Sequence, residues 1–304
     1  MFVLWGRALI WLDSITIACG LLRPIAGNLA VAGVKWFKLR ETLELGGYRG
    51  ARNVMGQEPA VWPGKVCLLG IPISNTSFLP ELELDLLGKR DSALITFVNP
   101  LACAIARQDE SYPATLNEFD WVLCDGIGMT VAAHRLLKIR LNRAAFDHAS
   151  LAGPVLRWAK ANAKKLVLVG GEPSVAEKAA ETMCREVPGL DIEMTFSGYP
   201  PGVTEAFDFL IGNPGRLVIC GMGAPRQEEF LLSLKRAGWQ GTGFTCGGFL
   251  DQISNGMQYY PAWINRLNLR FLYRLYREPA RLWRRYLIDY QVFIRKFLHE
   301  LVTR

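Results

Sequence analysis

The sequence predicts an α/β protein: a parallel sheet covered by helices on both faces, followed by a helical C-terminal appendage. Three observations predict it. From Ala93 onward, apolar β-branched runs alternate with helical periodicity, as in a parallel sheet buried on both faces. Four of those runs end in glycine-containing turns. From Pro261 the strand signal stops, and a helical pattern rich in arginine and aromatic residues replaces it. With 304 residues, 50% apolar and 21% charged, the chain is large enough for one α/β domain with additions.

Residues 1–40 form an apolar extension, interrupted by Arg7, Asp13, Arg23 and Lys35. No uncharged run there reaches the roughly 18 residues of a spanning helix. A basic start followed by an unbroken apolar core is also missing, so no cleaved signal peptide is expected. A pair of buried helices, an interfacial or re-entrant membrane segment, and a misplaced start all fit this segment. Residues 41–92 are mixed, with turn signals at Gly46-Gly47 and Pro63-Gly64, and stay unplaced as a linker or subdomain.

The core is expected over 93–260. Its strands are ALITFV (93–98), DWVLC (120–124), KLVLV (165–169), a weaker DIEMTF (191–196), RLVIC (216–220) and GTGFTC (241–246). Amphipathic stretches lie between them, such as Glu177 to Val187 with Ala179, Ala180 and Met183 on one side. The glycine turns are CDGIG, VGGEP, CGMGAP and CGGFLD. In open parallel sheets ligands bind beyond the carboxyl ends of the strands, where glycines admit a phosphate to backbone N–H groups and helix N-termini. Gly170, Gly171, Gly221 and Gly223 are the candidates for that contact. No turn matches the dinucleotide or Walker pattern, which disfavours dinucleotide binding and ATP hydrolysis.

The appendage spans 261–304. From Asn265 to the end, ten Lys and Arg face three acids, so this tail carries all of the chain's net charge of +7. Such a tail implies an anionic partner: nucleic acid, anionic lipid or a phosphorylated substrate. Arg274, Arg277, Arg281 and Arg284 share one helical face. Leu272, Leu275, Leu282, Trp283, Tyr286 and Leu287 supply an apolar surface, and Pro279 marks a break or a fresh start. The pattern is that of a helix lying on a membrane interface or meeting a diphosphate, with a packed terminal helix bearing a solvated basic face as the alternative. The seven cysteines form no Cys-x-x-Cys pair and read as reduced residues without a zinc site.

Several motifs carry a family resemblance: TFVNP (96–100), LCDGIGM (123–129), RAAFD (143–147), LVGGEPSVAEKAA (168–180), SGY (197–199), GMGAPRQE (221–228), CGGFLD (246–251) and LYRLYREPARLWRRYL (272–287). Over about 93–290 the chain resembles the WecG/TagA/CpsF glycosyltransferases, glycosyltransferase family 26. The resemblance implies a Rossmann-like core and a peripheral enzyme at the cytoplasmic face of the bacterial inner membrane. It implies inverting transfer from a UDP-sugar to an undecaprenyl-diphosphate-linked saccharide in exopolysaccharide or other surface-polysaccharide synthesis, with no cofactor beyond the donor. It further implies that the arginine-rich appendage closes over the active site. Position by position, the general base falls on Asp125, the pocket asparagine on Asn99, the site arginine on Arg143 and the site glutamine on Gln227. The Gly-Gly-x-x-Asp aspartate falls on Asp251, and the appendage arginines on Arg274, Arg281 and Arg284. Two departures stand out: Phe97 where relatives often carry threonine, and Tyr259-Tyr260-Pro261 in place of Arg-Ala-Pro. They favour a glucosyl-type donor over N-acetylmannosamine.

The residue chemistry agrees. An inverting transfer needs a base for the acceptor hydroxyl, and a carboxylate at a strand tip backed by glycines suits that task. Asp125 could instead cap the following helix or orient the acceptor. No Asp-x-Asp pair suggests a metal, so Arg143 and the tail arginines are expected to carry the diphosphate charge. Asp147 is expected either to brace Arg143 or to touch substrate. Glu228 reads only as a favourable start to the following helix, and His134, His148 and His299 carry no assigned role. The competing readings are a nucleotide-binding scaffold subunit of a polysaccharide assembly complex and a nucleic-acid-binding protein. The apolar residues of the tail argue against the second, and no nucleic-acid partner is expected.

Overall fold

A computed structural model of the chain describes residues 64–78, 80–254, 264, 270–277 and 279–303. The chain divides between Pro59 and Ala60, and all described residues belong to the unit Ala60–Arg304. The extension 1–40, residues 41–63 and the Tyr259–Pro261 variant lie outside the described residues.

Six strands form one parallel sheet: β3 (Ala93–Val98), β4 (Trp121–Cys124), β5 (Leu166–Gly170), β6 (Ile192–Phe196), β7 (Leu217–Gly221) and β8 (Thr242–Thr245), in the order β4-β3-β8-β7-β5-β6. Each lies within one residue of its expected run. The runs are continuously apolar because both faces are covered, and alternate residues go to two separate cores. Leu94, Val98, Val167, Val169, Val218 and Cys220 enter one core, while Ala93, Ile95, Leu166, Leu168, Leu217 and Ile219 enter the other.

The first core is roofed by α2 (Leu101–Gln108), α3 (Tyr112–Asn117), α4 (Ile127–Ala132), α7 (Gly202–Ile211) and α8 (Arg226–Arg236). The second is roofed by α1 (Pro80–Gly88), α5 (Ala152–Ala161), α6 (Val175–Glu186) and α9 (Phe249–Ser254). An antiparallel hairpin, β1 (Lys65–Leu68) and β2 (Ile71–Ser74), precedes them. Its Leu68, Ile71 and Ile73 are buried in the first core, and Ser74 Oγ accepts a hydrogen bond from Val122 N–H at 2.9 Å. The unplaced stretch therefore joins the core from residue 65 onward.

The helices that follow β5 and β7, which are neighbours in the sheet, leave to opposite faces; β8 and β3 behave in the same way. Where adjacent connections part, a crevice opens above the carboxyl ends of the strands. The amino ends carry structural charge instead: Glu193 is held by Arg216 at 2.8 Å and Lys165 at 3.0 Å, and hydrogen bonds from these cations keep its carboxyl down at about 2.

The tail is helical as expected. It comprises α10 (Arg270–Arg277), α11 (Pro279–Arg284), a widened turn over Arg285–Asp289, and α12 (Tyr290–Thr303). Pro279 opens α11, a position where its missing N–H is harmless. The expected apolar surface is divided: Leu282 is buried, whereas Leu272, Trp283 and Leu287 are exposed. α12 continues the exposed set with Ile294 and Leu298, and turns Phe293 into the first core. No helix among the described residues is long and apolar enough to cross a membrane.

Candidate active site

All six strands end at one edge, so parallel pairing brings Asn99, Asp125 and the glycine turns into a single row. Val98 pairs with Cys124, which sets Asn99 beside Asp125, and Asp125 N–H donates to Val98 C=O at 2.8 Å. Next along the edge come the turns after β8 (Cys246-Gly247), β7 (Met222-Gly223) and β5 (Gly171), tied by Cys246 N–H to Cys220 C=O at 2.7 Å and Gly171 N–H to Gly221 C=O at 3.3 Å.

Asp125 pairs with Arg143 at 3.2 Å, and Arg143 reaches Asp147 at 2.8 Å. The loop before α5 holds this trio in place. Ala144 N–H donates to Cys124 C=O at 3.0 Å, running the loop along the end of edge strand β4. Asp147 is fixed through Ala149 N–H at 3.0 Å, so it braces Arg143. Burial works against the guanidinium charge, but Asp125 and then Asp147 outweigh it and raise Arg143 above its ordinary value. Asp125 itself is one-third exposed, open enough to meet a hydroxyl. The N-cap of α4 is Gly126, so Asp125 stands one residue before the cap.

Asn99 is half-buried and its Oδ1 accepts from Leu101 N–H at 2.9 Å, starting α2. Phe97 packs edge-on against Phe146, with centroids 6.3 Å apart, on the face away from Thr96. Asp251 lies in the first turn of α9. At Gly223 (φ +74°) no atom lies within 4 Å of where a Cβ would stand, so that turn is open to a ligand. Gly171 is different, because its Cβ would meet Val175. Of the tail arginines, Arg284 is exposed, and Arg274 and Arg281 fall on α10 and α11, with their side chains outside the described residues.

Gln227 is placed differently from a ligand-facing glutamine. It is 4% exposed; its Nε2 donates to Glu228 Oε1 at 3.0 Å, and its Oε1 accepts from Gly247 N–H at 3.0 Å. Two further features gave no usable sequence signal. Arg226 stacks over the Tyr199 ring at 5.0 Å, a contact between two separate turns. Phe293 of α12 lies against Gly128, where a Cβ would meet its ring at 3.5 Å, so the tail packs on the helix that follows Asp125.

The arrangement offers a carboxylate for proton removal, a paired arginine beside it, and backbone turns able to receive phosphate oxygens. Among the described residues no group of three or more His, Cys, Asp or Glu side chains could hold a metal ion, and all six described cysteines are free. Burial pushes the thiols of Cys103 and Cys124 up to about 11 and 12, so neither is a ready nucleophile.

The Glycosyl transferase WecG/TagA/CpsF family model matches residues 66–304, a wider span than the 93–290 that the motifs mark. A Shigella boydii protein named UDP-Gal:alpha-D-GlcNAc-diphosphoundecaprenol beta-1,4-galactosyltransferase is 31% identical over 225 residues, 73% of this chain and 92% of that protein. An N-acetylglucosaminyldiphosphoundecaprenol N-acetyl-beta-D-mannosaminyltransferase of Bacillus spizizenii is 30% identical over 213 residues, 70% of this chain and 81% of its own length. One of the same name from Bacillus subtilis is 30% identical over 223 residues, 71% and 85% of the two chains.

Proposed function

The chain belongs to the WecG/TagA/CpsF glycosyl transferase family, and from that premise we propose that it moves a sugar from a UDP-sugar to a polyprenyl-diphosphate-linked saccharide, inverting the anomeric centre. The acceptor oxygen attacks the sugar C1 while the bond from C1 to the UDP oxygen breaks. That electron pair leaves with UDP, and the acceptor proton passes to the Asp125 carboxylate. A direct displacement fits a relative whose name pairs a UDP-Gal donor with a beta-linked product.

The observation that carries this reading is the position of the Asp125–Arg143 pair. Strands are spaced by about 4.8 Å, so β4 and β7 stand roughly 14 Å apart. A diphosphate over the Gly223 turn would leave its sugar above β8 and β3, pointing at Asp125. Arg143 and the tail arginines, with backbone N–H groups, supply the charge that the leaving diphosphate needs. The transfer is accordingly independent of a divalent metal. The donor is a hexose without an N-acetyl group, a reading that rests on Phe97 standing where relatives often carry threonine, two residues before Asn99.

Release of UDP from UDP-glucose, UDP-galactose, UDP-glucuronic acid, UDP-ManNAc and UDP-GlcNAc, with a polyprenyl-diphosphate saccharide present, tests all three points. We expect turnover with a neutral hexose that persists in EDTA. Silence with every donor would leave the scaffold reading in its place, and strict loss on chelation would remove metal independence.

The enzyme works peripherally at the cytoplasmic face of the inner membrane. Exposed Trp283, Leu287, Ile288 and Ile294 alternate with Arg277, Arg284, Arg285 and Arg295, as on a helix seated among anionic headgroups. Co-sedimentation with anionic vesicles should weaken by about fivefold for each arginine replaced by glutamine, in line with the electrostatic attraction of one basic residue. Binding to RNA should be negligible by comparison. Vesicle binding that ignores Arg277→Gln and Arg284→Gln would mark the tail as an ordinary solvated face.

A further inference from the structure

Glu228 is the one buried Asp, Glu, Lys or Arg among the described residues: it is 0% exposed, at the start of α8. Its Oε1 accepts twice, from Thr96 Oγ1 at 2.9 Å and from Gln227 Nε2 at 3.0 Å. Thr96 Oγ1 lies 2.9 Å from Thr245 Oγ1, and because the Thr96 proton is committed to Glu228, Thr245 is the donor of that pair. Gln227 Oε1 in turn accepts from Gly247 N–H. One carbonyl-type oxygen thus gathers β3, β8, α8 and the turn after β8. Glu228 Oε2 is buried and has no hydrogen-bond partner.

This geometry suits a neutral acid. Two donors fill the two lone pairs of a carbonyl oxygen, and at the partnerless Oε2 a neutral O–H costs less to bury than half of a carboxylate's charge. The groups facing Glu228 supply no cation. Tyr112 approaches from α3, Cys220 from β7 and Glu229 from its own helix. Burial pushes Tyr112 and Cys220 well up, so neither titrates near neutrality.

We propose that Glu228 is a positioning residue for the nucleotide side of the site, working as a neutral carboxylic acid that locks Gln227 into a strut under the Gly247 turn. Ionisation undoes the lock by placing an uncompensated charge in the strut. Burial raises the Glu228 carboxyl to about 7, which sets the pH range in which this happens. The fold favours the protonated form, so the stability that it lends is fully present below the ordinary carboxylate value and is lost as pH rises through about 7.

The inference rests on the transferase reading for its ligand, and uses UDP itself as the probe. Wild type, Glu228→Gln and Glu228→Leu are compared by calorimetric UDP titration and by thermal melting between pH 5.5 and 8.5. Glutamine keeps the double acceptor and cannot ionise, so E228Q should hold UDP within about threefold of wild type at low pH and show no alkaline decline. E228L leaves Gln227 and Thr96 with unpaired donors, and its UDP affinity should fall by about tenfold or more. The melting temperature of E228Q relative to wild type should rise with pH.

A pH-independent melting difference, or E228Q as impaired as a folded E228L at pH 5.5, would overturn the neutral-acid strut while leaving the transferase reading intact. Absence of UDP binding by the wild-type protein would overturn the transferase reading and the positioning role with it.

Discussion

Asp125→Asn should lower kcat by about 10²–10⁴-fold, the range that a positioned general base contributes, while the melting temperature stays close to that of the wild type. Arg143 remains paired with Asp147 in the mutant, so no buried cation is stranded. Asparagine has the shape of aspartate and keeps an acceptor oxygen, so it can still orient a hydroxyl but cannot take its proton. This makes the division between kcat and KM informative. Acceptor KM should move little if Asp125 is the base, because proton removal is felt in the transition state and not in ground-state binding. A folded Asp125→Asn enzyme with near-normal turnover would reduce Asp125 to an orienting role.

The sheet was legible in the sequence for a simple reason. A parallel strand buried on both faces must be apolar without interruption, and ALITFV, LVLVG and LVICG are such runs. The β1–β2 hairpin was not legible, because four-residue strands joined through Leu69-Gly70 offer too few positions for a period to emerge. Asp125, Asn99 and Arg143 could be picked out by motif, and the pairing of Val98 with Cys124 explains why two of them meet. Gln227 was the instructive difference. Beside a glycine turn it reads as a ligand contact, yet both ends of its amide are held by Glu228 and Gly247. Those partners come from tertiary pairing: Thr96 and Glu228 are 132 positions apart, and no local pattern records such a distance. Glu228, read as a helix start, is in that sense half right, since it begins α8 while its carboxyl serves three other elements.

The glycines of the turns after β5 and β7 separate by the same argument, and they carry the second large expected effect. Gly170 has φ +151°, and a Cβ there would run into the carbonyl oxygen of Gly221, with that carbonyl carbon at 2.7 Å and the Gly221 Cα at 2.9 Å. Backbone cannot rotate aside as a side chain can. Overpacking typically costs about 1–3 kcal/mol, and a left-handed φ adds about 1–2 kcal/mol for a residue with a Cβ. Gly170→Ala should therefore lower the melting temperature by on the order of 10 °C, at roughly 2–4 °C per kcal/mol for a domain of this size, whether or not UDP is present. Gly223 (φ +74°) carries only the conformational penalty, since nothing lies within 4 Å of its Cβ position. Gly223→Ala should stay folded, with a loss of a few degrees on the same scale, yet its new methyl would occupy the space through which a phosphate reaches the turn. Donor KM should rise severalfold with the acceptor KM unchanged. The two alanines thus assign the turns: Gly170 holds β5 against β7, and Gly223 keeps the approach to the backbone open. A stable Gly170→Ala protein, or a Gly223→Ala enzyme with an unchanged donor KM, would break that assignment.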